Sequence, residues 1–339
     1  MAKLQPFSYR RVKLGPRARS WLVSGVIFTL FTISAILLVY LLHDIDWAVF
    51  RKVGPLYVVL ILLLSVLSTG CYSLAVYILV RASGHETTFV ESYLVLTTSL
   101  STNYLTPIRV GIPLRIYLYK HFMDIPIAIG TALIAVETMI GILTPAIIAV
   151  AGIALIFPSI GLVIPITVIS ILVFGMIIVL KMRVENLQLY LARFPFLSLV
   201  ARFTRFFERV QWALRQLPIT KIVQVVLLVV VMLGLHSMRL WLVLIILGQG
   251  VSPLALLAVL TISLTAGNLS MIPMGLGVRD ASFTLLLTQQ GIPGEIALAA
   301  AVIQRLFSPG WPLLLGLISA NILGVSELVK RSDESSVAQ

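Results

Sequence analysis

The chain has 339 residues, of which 59% are hydrophobic and 11% charged, with a mean hydropathy of +1.07. This composition excludes a protein built of soluble domains, because so much apolar surface needs lipid as its solvent. The net charge is +12, but the basic residues are clustered at two places, which favours a role in membrane topology over nucleic-acid binding. The single cysteine, Cys71, excludes a disulfide framework and a Cys-rich metal site, and we predict no cofactor.

Eight stretches are apolar enough to be read as membrane spans, since a transmembrane helix needs about 20 mostly apolar residues. They cover residues 21–42, 54–80, 93–106, 126–156, 160–180, 222–247, 254–272 and 295–323. The predicted fold is therefore an all-α integral membrane protein with about eight transmembrane helices. We predict a first transmembrane half at 21–180, a second half at 222–327, and a polar tail at 328–339.

Two basic segments indicate the orientation in the membrane. Residues 1–20 hold six basic residues and no acidic one, so the positive-inside rule predicts a cytoplasmic N-terminus. The segment 181–221 holds eight basic residues against two acidic ones, interleaved with aromatic residues. That pattern is typical of an amphipathic helix on anionic headgroups, so we predict a cytoplasmic linker there.

The two halves contain an internal repeat. Residues 72–102 align with 236–266 at a constant offset of 164, and the helix segments 95–100 and 259–264 are nearly identical. With small insertions, Pro107 and Gly111 pair with Pro273 and Gly277 at offset 166, and Glu137 pairs with Gln304 at offset 167. Repeated halves are a known construction of transporters. If 1–20 and 181–221 are both cytoplasmic, the two copies run in opposite directions and the repeat is inverted.

An inverted repeat requires an odd number of crossings between residues 106 and 181, and only two spans are evident there. Either the span 126–156 is split at Pro145, or residues 112–123 cross as well. The sequence leaves both options open.

Each copy carries a segment, 103–124 or 268–292, in which proline and glycine interrupt the helical pattern. Proline lacks a backbone donor and glycine adopts conformations closed to other residues, so both segments should be broken or re-entrant. Such backbone survives in a membrane only inside protein or beside a wet cavity. Half-helices beginning after Gly111 and Gly277 would point free N–H groups into that cavity, where they attract anions.

Ionisable residues cluster at the same segments, and each is costly in lipid unless paired or hydrated. The candidate substrate-binding residues are Arg109, Arg115, Glu137, Arg239, Arg279, Asp280, Arg305, Asn103, Asn268, Gly111 and Gly277. His236 and Arg239 share a helix face, and we expect Glu137 to neutralise this arginine. The alternative is that these residues form helix-bridging ion pairs and anchors with no substrate role. The excess of arginine over carboxylate favours an anionic, phosphate-bearing ligand.

The motif at residues 107–111 with Arg115 and Glu137, and the motif at 275–281 with Arg305, resemble the transmembrane flippase-like domain of the lysylphosphatidylglycerol synthase family. The resemblance spans about residues 20–325. It implies a polytopic protein of about eight spans in the inner membrane of a prokaryote, which moves, or helps to move, a lipid across the bilayer. The soluble aminoacyltransferase domain of the best-known members is expected to be absent, since a short polar tail follows residue 323.

This chain departs from the family pattern by lacking acidic residues. Ile112 follows the first glycine, where the family usually has an acidic residue, and the acidic–basic pair of the next helix reads Glu137-Thr138. Asp280 stands where the family has glutamate. Fewer acidic groups beside retained arginines favour a more anionic lipid, such as a polyprenyl phosphate or a phosphoglycolipid.

The predicted function is therefore lipid transport by alternating access, not enzymatic catalysis, with the proton carried by Glu137 or Asp280 if transport is coupled. One alternative is a polyprenyl-phosphate-sugar-dependent glycosyltransferase that uses Asp44 and Asp46, and another is a scaffold for a separate lipid-modifying enzyme. The expected partners are a membrane lipid and anionic headgroups, but no nucleic acid, and a homodimer is an open option.

Overall fold

The computed structural model describes residues 54–105, 110–157, 167, 170, 217–270, 275, 277–308 and 310–324. Several predicted features lie outside these residues. They are the N-terminus 1–20, the spans 21–42 and 160–180, most of the linker 181–221, the aspartates Asp44 and Asp46, Arg109, and the tail 328–339.

The described residues form α-helices and contain no β-strand. The helices are α1 (Pro55–Ala82), α2 (Phe89–Leu105), α3 (Gly111–Met123), α4 (Ile127–Ile156), α5 (Ile219–Ile246), α6 (Pro253–Leu269), α7 (Val278–Gln289), α8 (Gly294–Phe307) and α9 (Gly310–Ile322). Local signals set several of their ends. Proline occupies the first turn of α1 and of α6, where its missing N–H is not needed. Ser252 caps α6, its hydroxyl accepting a hydrogen bond from the backbone N–H of Ala255 at 3.2 Å.

Within the described residues, α1, α4, α5 and the stretch Gly294–Ile322 are long and apolar enough to cross a membrane. The 28 residues of α1 extend for about 42 Å, which exceeds the roughly 30 Å of the hydrocarbon core. Large apolar side chains on these helices stay exposed, such as Leu63 at 50% and Leu227 at 58%. Exposed apolar side chains of this kind are stable where they contact the acyl chains of lipids. The predicted all-α membrane fold is confirmed.

The structure describes three of the stretches that were considered as membrane spans. The span 126–156 is not split, because α4 continues through Pro145 without a break. The 13 residues of α3 extend for only about 20 Å, too short for a crossing of its own. The predicted span 295–323 agrees with the structure, since the stretch Gly294–Ile322, which contains α8 and α9, is long and apolar enough to cross a membrane.

The helix bounds agree with the offsets read from the sequence. Both ends of α1 and α5 differ by 164 positions, and so do both ends of α2 and α6. The last residues of α3 and α7 are 166 positions apart, and their first residues are 167 apart, as are the first residues of α4 and α8. The same local signals therefore start and stop helices in both halves, as a duplication predicts.

The two halves pack on each other reciprocally. α1 lies along α5, while α2 packs against α9 and α6 against α4. Val229 of α5 belongs to the same hydrophobic core as Val76 of α1, whereas Leu244 belongs to the other core, with Ile61. This exchange is the pattern of two antiparallel helices, which is the relation that an inverted repeat requires of equivalent helices.

Small residues allow the helices of the two halves to approach closely. A Cβ atom built at Gly152 of α4 would lie 2.5 Å from the Cβ of Ala258 on α6. At the equivalent crossing, a Cβ on Gly316 of α9 would collide with the carbonyl oxygen of Thr97 on α2. The Thr97 hydroxyl also donates to the Ser319 hydroxyl at 2.8 Å. Close packing of small residues and hydrogen bonds between hydroxyls are what hold membrane helices together.

Candidate functional site

Both predicted breaks in the helices are present at the expected glycines. α2 ends at Leu105 and α3 begins at Gly111, where a side chain would collide with the carbonyl oxygen of Ser99 and with the side chain of Asn103. In the second half, α7 begins directly after Gly277, whose φ of +81° is unfavourable for other residues. The position of each break therefore depends on a glycine that no larger residue can replace without strain.

A buried ion pair joins α3 to α4 in the first half. Arg115 donates to both carboxylate oxygens of Glu137, from Nη1 at 3.0 Å and from Nη2 at 2.5 Å. The hydroxyl of Tyr72 on α1 donates to Oε1 of Glu137, and the Nε of Arg115 donates to the Tyr119 hydroxyl at 3.0 Å. Arg115 and Glu137 are only 5% and 7% exposed. The charge of this arginine is therefore balanced inside the protein.

A second ion pair joins α7 to α8. Arg305 donates to the two oxygens of Asp280, from Nε at 2.7 Å and from Nη2 at 2.8 Å. Asp280 also accepts a hydrogen bond from the backbone N–H of Gly277 at 3.2 Å, which satisfies one of the free donors at the start of α7. This carboxylate thus holds the break and the following helix together.

The expected pairing of Arg239 with Glu137 is wrong. Arg239 on α5 donates from Nε to the amide oxygen of Gln304 at 3.3 Å and from Nη1 to the hydroxyl of Ser65 at 3.1 Å. Its third nitrogen, Nη2, is buried without a partner among the described residues. Glu137 is engaged with Arg115, and the hydrogen-bond partners of Arg239 among the described residues are neutral, although Arg239 is only 2% exposed.

A cavity of about 220 Å³ lies beside Arg239, between helices of both halves. Arg279 also lines it, together with Tyr104, Asn268, His236, Gln304 and Trp311, and with Ser65, Ser68, Thr69 and Tyr72 on α1. Among its described lining residues there is no carboxylate. Apolar side chains such as Leu233 and Leu260 form much of the remaining wall. The cavity is therefore amphipathic, with positive charge on its polar part.

The structure distributes the predicted site residues that it describes among five places. Arg239, Arg279 and Asn268 line the cavity, while Arg115 with Glu137 and Asp280 with Arg305 form the two ion pairs. Gly111 and Asn103 meet where α2 is followed by α3, and Gly277 starts α7. Arg109 lies outside the described residues.

Sequence reasoning missed several residues of the cavity and its surroundings. Ser65, Ser68 and Thr69 recur at the spacing of one helix face, which is a signal for a polar stripe on an otherwise apolar span. Tyr72 aligns with His236 at the repeat offset, so the repeat already indicated it. Trp311 carried no such signal.

Comparisons with known proteins agree with this architecture. A family model described as the transmembrane region of lysylphosphatidylglycerol synthase matches residues 20–316. A UPF0104 membrane protein of Methanocaldococcus jannaschii is 35% identical over 86 residues, a match that covers 25% of this chain and 26% of that protein. The chain thus spans about a quarter of that curated relative. Since the family model matches most of the chain, this multi-pass membrane protein belongs to the family of the lysylphosphatidylglycerol synthase transmembrane region.

Proposed function

We propose that the chain transports an anionic, phosphate-bearing lipid or lipid-linked precursor across the cytoplasmic membrane. The observation that carries this proposal is the cavity, which Arg239 and Arg279 line without a carboxylate among its described residues. Membership in a membrane-embedded family supports it. In this proposal the chain acts as a transporter and not as an enzyme, and its N-terminus is cytoplasmic.

The charge of the cavity favours an anionic ligand. An arginine inside a membrane protein is costly unless it is paired or hydrated. Glu137 and Asp280 each pair with a different arginine and cannot also neutralise Arg239. A phosphate group would supply the missing charge, because arginine binds phosphate through two parallel hydrogen bonds.

The size of the cavity favours a headgroup over a whole lipid. Its volume of about 220 Å³ is below the roughly 300–1,000 Å³ of sites that enclose drug-sized ligands. The acyl chains would therefore stay outside in the hydrocarbon, where they cost no desolvation, while the headgroup enters the protein.

The arrangement of the two halves supports alternating access. Transporters with repeated halves bind their substrate at the interface of the repeats, next to discontinuous helices. Here the cavity has lining residues from both halves, and Asn268 and Arg279 stand on either side of the second break. Because the crossings of α4 with α6 and of α2 with α9 are equivalent, the halves can exchange two related arrangements that open the cavity to opposite sides.

Reconstitution of the purified chain in liposomes tests the proposal. Transport of fluorescent phosphatidylglycerol and phosphatidylcholine is followed by the loss of fluorescence that a membrane-impermeant quencher causes. We expect faster transport of phosphatidylglycerol, and its loss in the variant Arg279→Gln. The matched control is Arg81→Gln, which removes an exposed arginine at the end of α1 and should leave transport unchanged. Equal rates for both lipids in the wild type, or transport that survives Arg279→Gln, would refute the proposal.

A further inference from the structure

The two halves differ in charge at equivalent positions. Glu137 on α4 aligns with Gln304 on α8 at offset 167, and both accept hydrogen bonds from an arginine. Glu137 is a carboxylate and neutralises Arg115, whereas the amide of Gln304 bonds to Arg239 without neutralising it. The equivalent positions therefore hold a carboxylate that balances the charge of Arg115 in the first half and a neutral amide that does not balance the charge of Arg239 in the second half.

The arginines that contact Glu137 and Gln304 stand at different positions in the two halves. Arg115 of the first half aligns with Ala281, so the second half has no arginine at the position whose side chain pairs with Glu137 in the first half. Arg239 in turn aligns with Ala75, and it reaches Gln304 from α5 instead. The first half has a charge-balanced ion pair here, and the second half has an arginine among neutral partners beside the cavity.

Two residues that line the cavity each have a buried donor with no acceptor among the described residues. These donors are Nη2 of Arg239 and Nε1 of Trp311. A buried donor without an acceptor is destabilising, and more so if it is charged. Both groups are N–H donors, so a ligand that satisfies them must bring acceptors, as the oxygens of a phosphate do.

We propose that Arg239, Arg279 and Trp311 form a binding site for a phosphate group, and that Gln304 determines its specificity for anionic over zwitterionic headgroups. This inference rests on the proposed function, whose substrate it makes more specific. The amide oxygen of Gln304 orients the guanidinium through Nε while leaving its charge for the ligand. A glutamate at this position would compete with the phosphate for the same arginine, as Glu137 holds Arg115.

Lipid binding to the detergent-purified full chain tests this site. Dioleoyl phosphatidylglycerol, dioleoyl phosphatidylcholine and inorganic phosphate are titrated separately, and tryptophan fluorescence reports binding because Trp311 lines the cavity. In the wild type, tighter binding of phosphatidylglycerol than of phosphatidylcholine is expected. Binding of inorganic phosphate with similar affinity identifies the phosphate group itself as the ligand, whereas no phosphate effect on phosphatidylglycerol binding identifies the lipid as the source. Equal affinity for the two lipids overturns the inference.

The variant Gln304→Glu should weaken phosphatidylglycerol binding by about tenfold to a hundredfold, the effect of losing charge-assisted hydrogen bonds. The thermal stability of this variant without lipid should be equal or higher, since Arg239 gains a partner. Gln224→Glu is the matched control, because it makes the same change on an exposed face of α5. Gln304→Met keeps the site positive and should weaken binding less than Gln304→Glu. Wild-type binding in Gln304→Glu, or equal losses in both Gln304 variants, overturns the role of its charge.

Failure of this inference can be told from failure of the proposed function. If the wild type transports phosphatidylglycerol and Gln304→Glu transports and binds it equally well, the function stands and the inference fails. If no lipid is transported but the binding contrast between the Gln304 variants is present, the site stands and the transport proposal fails.

Discussion

The buried ion pair between α3 and α4 gives the sharpest prediction about stability. The change Glu137→Gln is nearly isosteric, and its amide oxygen can still accept the hydrogen bond from Tyr72. What is lost is the negative charge opposite Arg115, which is 5% exposed. Removing one partner of a buried ion pair costs about 3–5 kcal/mol, because the other charge stays buried and uncompensated. The unfolding equilibrium should therefore shift by roughly two to three and a half powers of ten.

The measurement is unfolding in mixed micelles of increasing sodium dodecyl sulfate content, followed by far-UV circular dichroism. The wild type is compared with Glu137→Gln, Arg115→Gln and the double variant, which together form a double-mutant cycle. We expect each single variant to lose about 3–5 kcal/mol and the double variant to lose less than the sum of both.

The second ion pair provides the internal comparison. Arg305 and Asp280 are more accessible, with side chains 14% and 28% exposed. Asp280→Asn should therefore cost only about 1–2 kcal/mol, between the values for exposed and buried pairs. A loss below about 1 kcal/mol in Glu137→Gln, or strictly additive effects in the cycle, would show that Arg115 finds other compensation and would refute this reasoning.

Two further predictions concern packing and topology. Gly152→Ala should destabilise the fold by about 1–3 kcal/mol, because the new Cβ would lie 2.5 Å from the Cβ of Ala258. The same change at Gly141 on the same helix meets open space and should not destabilise the fold. Equal effects of the two changes in the micelle assay would contradict the packing. In a background without the native cysteine, single cysteines are placed at the exposed positions Lys120 and Gln289. They should react with an impermeant thiol reagent from opposite sides of the membrane, since an inverted repeat places equivalent helix ends on opposite faces. Labelling of both cysteines from one side would exclude inversion.

Much of the architecture was predictable from the sequence because it follows from local properties. The lengths of the apolar stretches predicted the long helices α1, α4 and α5, and Gly111 and Gly277 predicted the two breaks. The predicted repeat rests on proline and glycine signals at nearly constant offsets, which are also local. Composition and motif likewise predicted the family that the family model confirms.

Other features of the structure depend on contacts between helices that are distant in sequence, so they could not be predicted from local patterns. Pro145 interrupts the sequence pattern but not α4. A membrane helix can tolerate a proline when its neighbours satisfy the freed carbonyl, and the sequence does not state which neighbours are near. For this reason the sequence left open whether the span 126–156 is split at Pro145.

The sequence by itself determined that this chain is helical and embedded in a membrane. It also determined that arginines outnumber acidic residues beside the two breaks in the helices. Only the tertiary structure decided which of the described arginines pair with a carboxylate. Glu137 was assigned to Arg239 but pairs with Arg115, and Arg239 meets Gln304 instead. Ionic pairing depends on the directions of side chains on helices that are distant in sequence, and those directions are fixed when the two halves pack together.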